Sequence, residues 1–576
     1  MKHVQKRGLC WLFAAAMTAA VMIFVLTCTD VLYATNDDAA IMRALMGYET
    51  GEPAKFHLFV HGLLVWPLGW LGQVFPALPW FSYTQLAMLA LSCLVIAKSI
   101  MQSFVKYKKP FWLGVVMAAV FLLTLCMKHI TSLTFTLTSA LLGAAAVAQM
   151  LSIEHDRGNA RVVLGMAGSL VLACLSYMMR LDAFLPVVGF CALAFLLQVW
   201  EHYGLGKKAK RSIRPMVISL VMIVVVLGSM LGIRQFELTR PEVQDYLAWQ
   251  ESRTEIMDYV DINKVPKETF EQLGWSEPVV NMAKLWCFLD SDISTEAFTE
   301  LAEVMHAQDA RTFSDRLQHG WEIFAKTAKE ARQDMICLIA GAIVAVVCLA
   351  GACFCPGKRA LRLVGVLAFV LSAFAMNVVL AVMQRLPMRA MLMILMPACA
   401  AMFAMLPACL PEKIRWPLVL CAAACVAHCA VCLHLLLPDL LVDEQENLLL
   451  GSAMTDLEEY ASFEEESLFI YDDTLVGSDL RVFPDYSEGM PNNIAFWGGW
   501  ALRSPESVKQ FANFDIDLND FDPYTLLRDD VYIASGRVDP PPTVILEWLQ
   551  EKVGPNIDYM LYSEYGYVYI FQFYEY

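Results

Sequence analysis

Charge is what this sequence has least of. Asp, Glu, Lys and Arg make up 17% of 576 residues, while 58% are hydrophobic; a soluble domain carries about a quarter charged residues. That shortage excludes an ordinary soluble enzyme and leaves an integral membrane protein. Three further absences narrow the class. No Asn-x-Ser/Thr sequon occurs, which points to a bacterial rather than a secretory-pathway protein. No internal repeat is visible, which speaks against the common transporter architectures. The stretch 438–576 contains no cysteine at all, so it is not a disulfide-stapled module. The 17 cysteines lie almost wholly in apolar runs, with Cys287 alone in a long hydrophilic loop, and read as small packing residues. Cys421, Cys425, Cys429 and Cys432, with His428 and His434, share one hydrophobic helix and read the same way rather than as a metal cluster.

The net charge of −16 hides two unlike parts. Residues 438–576 hold 28 Asp and Glu against 6 Lys and Arg, which leaves 1–437 positive. We expect a polytopic α-helical membrane domain over 1–437 and an acidic extracytoplasmic α/β domain over 438–576. In the latter, β-rich runs such as Leu468-Phe469-Ile470-Tyr471 and Val531-Tyr532-Ile533 alternate with a helical stretch near 544–552. So acidic a module excludes nucleic acid as a partner.

Lys2, His3, Lys6 and Arg7 precede an apolar run at 9–28, long enough to span, so the N-terminus is expected in the cytoplasm. The stretch 56–81 is dense in Pro, Gly and Trp and suits an interfacial segment better than a span. With 29–82 kept on the outer face, further spans read 83–101, 111–127, 133–151, 162–178, 183–200, 215–233, 334–354, 363–383, 388–409 and 417–437, about eleven in all. The loops around 106–109, 157–161, 207–211, 358–362 and 412–415 then fall inside, and each carries basic residues. A helical block at 234–333 falls outside.

That topology gathers unusual charges on one face. Asp37 and Asp38, adjacent acids just beyond the first span, need a reason to sit beside lipid: a proton to move or a cation to hold. The short outer turns add Lys128 and His129, Arg180 and Asp182, and Arg385 and Arg389. Arginine offers a planar fork of donors and lysine a point charge, a set suited to a lipid-linked phosphate. The carboxylates suit a general base or a metal. His57 and His61 share a helical face and are possible pocket residues. Simpler readings exist for each: snorkelling for a lone arginine, pairing with Arg180 for Asp182, packing for the histidines, and an N-cap before Ala39-Ala40-Ile41-Met42 for one of the two acids. Capping accounts for one carboxylate only.

In architecture the chain resembles the GT-C class of integral membrane glycosyltransferases. Asn36-Asp37-Asp38 looks like their acidic motif in the first outer loop, and 56–81 looks like the interfacial helices that follow it. His57 stands where some members carry a His-Pro-Pro element, but no Pro-Pro follows it. The resemblance implies a polyprenyl-phosphate- or pyrophosphate-linked sugar donor, with Asp37 or Asp38 as base. It implies that Arg180, Arg385, Arg389 and Lys128 hold the lipid phosphate, and that the acceptor is an extracytoplasmic glycan, lipid or protein. A divalent cation is needed by some members and not by others. Competing readings are a cell-surface polysaccharide polymerase or ligase, a lipid-linked glycan transporter or flippase, and a non-catalytic scaffold. The flippase reading is disfavoured by the lack of charges expected mid-span.

Overall fold

A computed structural model describes residues 2–48, 50–155, 158–203, 213–308, 311–354, 359–383, 385–411, 416–441, 451–477, 479–484, 491–537 and 541–576. Among them, ten helices are long and apolar enough to cross a membrane, from Lys6–Cys28 to Trp416–Leu440. An eleventh apolar helix, Phe135–Leu151, has 17 residues and is buried along almost its whole length. With Met388–Cys409 it forms the centre of the bundle, packed by small residues: Gly143 lies so close to Val187 that a Cβ there would overlap it. The outward sides of Asn159–Met179, Arg214–Glu237 and Arg359–Val382 expose large apolar residues such as Leu164, Val224 and Phe374, as lipid-facing helices do.

The stretch 56–81 contains a helix of 13 residues, Gly62–Val74. At 1.5 Å per residue this is roughly 20 Å, short of the ~30 Å hydrocarbon core. Trp66, Trp70 and Phe75 are exposed along it. One expectation needs correcting. Lys98, inside the stretch 83–101, is buried, so the spans do hold a cation; its Nζ donates to Gln149 Oε1 at 2.5 Å.

Short strands tie the segments at one end of the bundle together. β1 (Leu32–Tyr33) pairs in parallel with β2 (Ser132–Leu133), and Tyr33 N donates to Leu480 O at 2.9 Å. This link sets Thr35 beside Phe135. The C-terminal part folds as expected into a small α/β unit. Its strands are β3 (Leu468–Tyr471), β4 (Ile494–Phe496), β5 (Val531–Ser535), β6 (Ile557–Tyr565) and β7 (Val568–Glu575), in the order β4-β3-β5-β7-β6. β3 runs parallel to β4 and β5, and β7 antiparallel to β5 and β6. The block 234–333 is helical, and it shares one hydrophobic core with the α/β unit through residues such as Trp249, Phe288, Trp497 and Trp548. Phe288 N donates to Trp497 O at 3.1 Å, and Trp548 Nε1 bonds Asp290. The α/β unit also grips the helix Asn36–Met46 through the buried pair Arg43–Asp479, which Arg481 extends to Glu458. The turns near 489–492 and 539–542 lie largely outside the described residues.

Candidate functional site

The helix Asn36–Met46 begins after Thr35, whose backbone is extended. Asp37 and Asp38 therefore both occupy its first turn, where a carboxylate meets unpaired N–H groups and the positive end of the helix dipole. Successive residues on a helix point in different directions, so the two acids part company.

Asp38 turns inward and is fully buried. Its Oδ1 accepts from Gln85 Nε2 at 3.0 Å and from Phe135 N at 2.6 Å, and its Oδ2 from the Thr35 hydroxyl at 3.0 Å. Phe135 opens the central helix, so Asp38 satisfies an orphan donor of a second helix as well as stabilising its own. Burial dominates its titration and pushes its pKa up to about 7, with the charge of Asp37 adding to the rise and the hydrogen bonds opposing it.

Asp37 turns outward and stays partly open, its side chain 25% exposed. Its Oδ2 accepts from Arg389 Nη1 at 2.8 Å, and its Oδ1 from Trp500 Nε1 at 3.3 Å. Arg389 stands in the first turn of Met388–Cys409, where a cation opposes the helix dipole. Its place there is stabilised by Asp37 rather than by its own helix.

Arg180 caps the C-terminal end of Asn159–Met179. Its guanidinium lies 4.6 Å over the Phe135 ring, donates to the Thr136 hydroxyl at 2.5 Å and reaches Asp182 at 3.4 Å. Desolvation lowers its pKa, and it feels the charges of Arg389, Asp37 and Asp38. Asp182 is itself largely exposed. Arg385 pairs with Asp258 at 3.5 Å and lies over the Tyr259 ring at 5.1 Å. Asp258 and Tyr259 sit on a π-helical segment, Glu255–Val260, ended by Asp261 at φ 69°. Such wide turns often re-aim side chains at functional sites.

The remaining candidates lie apart. Lys128 is paired with Asp334 at 2.9 Å, and His129 is buried beside them. His61 is a helix N-cap: its Nδ1 accepts from Leu63 N, and its Nε2 meets Met230 O at 3.0 Å. His57 packs edge-on to Trp500, with ring centroids 5.1 Å apart. The structure thus joins Asp37, Arg389 and Arg180 with His57 and Arg385 nearby, and leaves Lys128, His129 and His61 elsewhere.

Residues not singled out in the sequence complete the site. Trp500 comes from the α/β unit, and its carbonyl accepts from Tyr246 Oη and Gln250 Nε2, both at 2.6 Å. Arg253, lying over Trp286 at 5.4 Å, adds a further buried cation whose environment includes Asp258, Arg385 and Asp37. One signal for Trp500 was present: Trp497-Gly498-Gly499-Trp500. A Cβ at Gly498 would collide with the Trp286 carbonyl, and Gly499 has φ +69°, so both glycines are required to press this turn onto its neighbours. Among the described residues, no group of three or more His, Cys, Asp or Glu is placed to hold a metal ion. Compared with family models, with curated proteins and with solved structures, the chain matches none.

Proposed function

We propose that this chain is a membrane glycosyltransferase of GT-C type. It would move a sugar from a polyprenyl-phosphate- or pyrophosphate-linked donor to an extracytoplasmic acceptor. The observation that carries the reading is the open carboxylate of Asp37 set against Arg389, with Arg180 close by and lipid-facing helices beneath them. Asp37 takes the proton of the acceptor hydroxyl as its oxygen attacks the anomeric carbon of the sugar. The bond from that carbon to the phosphate oxygen breaks, and the electron pair leaves on the phosphate. Arg389 and Arg180 offer forked donors to that charge, with Arg385 at the margin. Asp38, closed off by three hydrogen bonds, positions Asp37 rather than reacting.

In this reading the basic loops face the cytoplasm of a bacterial plasma membrane, all eleven apolar helices span, and the site and the α/β unit lie outside. The test is turnover of polyprenyl-phosphate-linked sugars in proteoliposomes. Asp37→Asn should lower transfer by at least about 10²-fold while the protein folds normally; transfer at the wild-type rate by that variant would sink the proposal.

A further inference from the structure

A cleft opens on the same side as Asp37, between the segment 50–58, the start of the helix Pro241–Thr254 and the helix Pro505–Ala512. Its outer part has a volume of about 210 Å³ and is walled by Glu52, Lys55, Glu506 and Lys509. A smaller inner part of about 40 Å³ reaches Phe56, His57, Tyr246 and Trp500. Thr50, Phe56 and Glu506 line both, so the two adjoin. The inner end therefore stops on the residue whose indole N–H is bonded to Asp37.

His57 gives this cleft a built polar group. It is only 4% exposed, and its Nδ1 accepts from the backbone N–H groups of Phe59 at 3.2 Å and Val60 at 3.3 Å. With Nδ1 an acceptor, the ring proton belongs on Nε2. Among the described residues Nε2 has no hydrogen-bond partner. A buried donor left unmade costs about 1–3 kcal/mol, so this one calls for an oxygen from outside the chain. Burial and Arg234 push the His57 pKa down to about 3, which keeps the ring neutral.

The walls indicate what that oxygen belongs to. Both signs of charge are present on the walls: Lys509 Nζ meets Glu52 Oε2 at 2.5 Å, and the Glu506 carboxylate accepts from the backbone N–H of Lys55 at 3.0 Å. Such a mouth presents no single-sign field for an anion, unlike the cluster at Arg389 and Arg180. It offers carboxylates that accept from hydroxyls, ammonium groups that donate to them, and a floor of aromatic rings. The outer volume is the room of roughly seven waters at about 30 Å³ each, enough for a ring-sized group.

We propose that this cleft binds the acceptor of the reaction through a polyhydroxylated, sugar-like group, its ring in the outer part beside Phe56 and one hydroxyl entering the inner part, where His57 Nε2 donates to it between Tyr246 and Trp500. Its role as acceptor site rests on the glycosyltransferase reading; the binding of a sugar does not.

The test is saturation-transfer NMR on the full chain in phosphatidylcholine nanodiscs, free of sugar detergents. The probes are methyl β-glucoside, methyl β-galactoside, methyl α-mannoside and N-acetylglucosamine. At least one should bind wild type, with affinity reduced about fivefold or more in His57→Phe, the worth of one lost hydrogen bond. A Glu506→Gln/Lys509→Ala double variant at the open mouth should weaken binding without disturbing the buried ring. No binding of any of the four probes, or unchanged binding in both cleft variants, overturns the inference. If wild type binds sugar but turns over no polyprenyl-linked donor, the cleft stands as a sugar site and the glycosyltransferase reading falls; turnover without sugar binding does the reverse.

Discussion

The two ends of the helix bundle each gather charge, and they do so in opposite styles. At the end away from Asp37, Glu201 accepts from Lys106 Nζ at 3.3 Å, Arg362 Nη2 at 3.1 Å and Tyr107 Oη at 3.1 Å. All these groups are buried or nearly so, and the guanidinium of Arg362 also lies over the Tyr107 ring. This network is enclosed: it joins three helices, with one carboxylate held between two cations. At the other end Asp37, Arg389 and Arg180 are drawn together from three helix termini, and Asp37 and Arg389 each keep about a quarter or more of the side chain exposed. A closed buried network holds helices in register, whereas an open one retains capacity for a further partner. Charge at membrane depth is therefore not by itself a sign of chemistry. Whether the cluster is enclosed or open distinguishes the two cases.

The largest effect that would sharpen this contrast is expected at Asp37. Replacing it with Asn should lower transfer by about 10²–10⁴-fold, the usual worth of a positioned general base, with the melting temperature in nanodiscs little changed because the side chain is partly open. Next is Arg389→Ala, expected to reduce kcat by roughly 10²-fold through loss of charge stabilisation on the leaving phosphate. Arg389→Lys should recover part of that, since it keeps the charge and loses the fork. A drop in stability with unimpaired kcat in either variant would make the open cluster structural and erase the distinction. Glu201→Ala probes the opposite end. It leaves Arg362 and Lys106 buried without their anion, a loss of about 3–5 kcal/mol, read as a lower thermal midpoint. Transfer per folded molecule should hold; if it falls as far as in Asp37→Asn, the two ends are not functionally different.

The bundle was largely legible in the sequence because hydropathy over about twenty residues is a strong signal, and because Pro, Gly and Trp marked 56–81 as something other than a plain span. The C-terminal α/β pattern was legible through Leu468-Phe469-Ile470-Tyr471 and Val531-Tyr532-Ile533, whereas the exposed strand β6 and the three-residue β4 carry little pattern to find. The site was legible only in part. Its charges stood out as residues, but a line of sequence does not say which charge answers which. Lys128 stood out as much as Arg389, yet it is taken up by Asp334, far along the chain. Trp500 and Arg253 were missed because each reaches the site through a tertiary contact between the α/β unit, the helical block and the segment after the first long helix.

The smallest expected effect bears on Asp38, which sits beside Asp37 in the chain and shares the closed style of the far network. Its pKa is raised to about 7 in the fold from an ordinary 3.8. The folded state thus holds a proton that the unfolded chain releases above about pH 4. Stability from this group is complete below about pH 4 and is lost as pH rises through about 7. Wild type should accordingly lose thermal stability between about pH 4 and 7, a loss that Asp38→Asn does not show because its amide has no proton to lose. Plotted against pH, the difference in melting temperature between variant and wild type should rise in favour of the variant and level off above about pH 8. Transfer by Asp38→Asn should fall only several-fold, through a looser Asp37. Should it instead fall as far as in Asp37→Asn while the melting curves stay parallel across pH, the closed carboxylate would be the reacting one, and the rule that openness marks the chemistry would fail at these two residues.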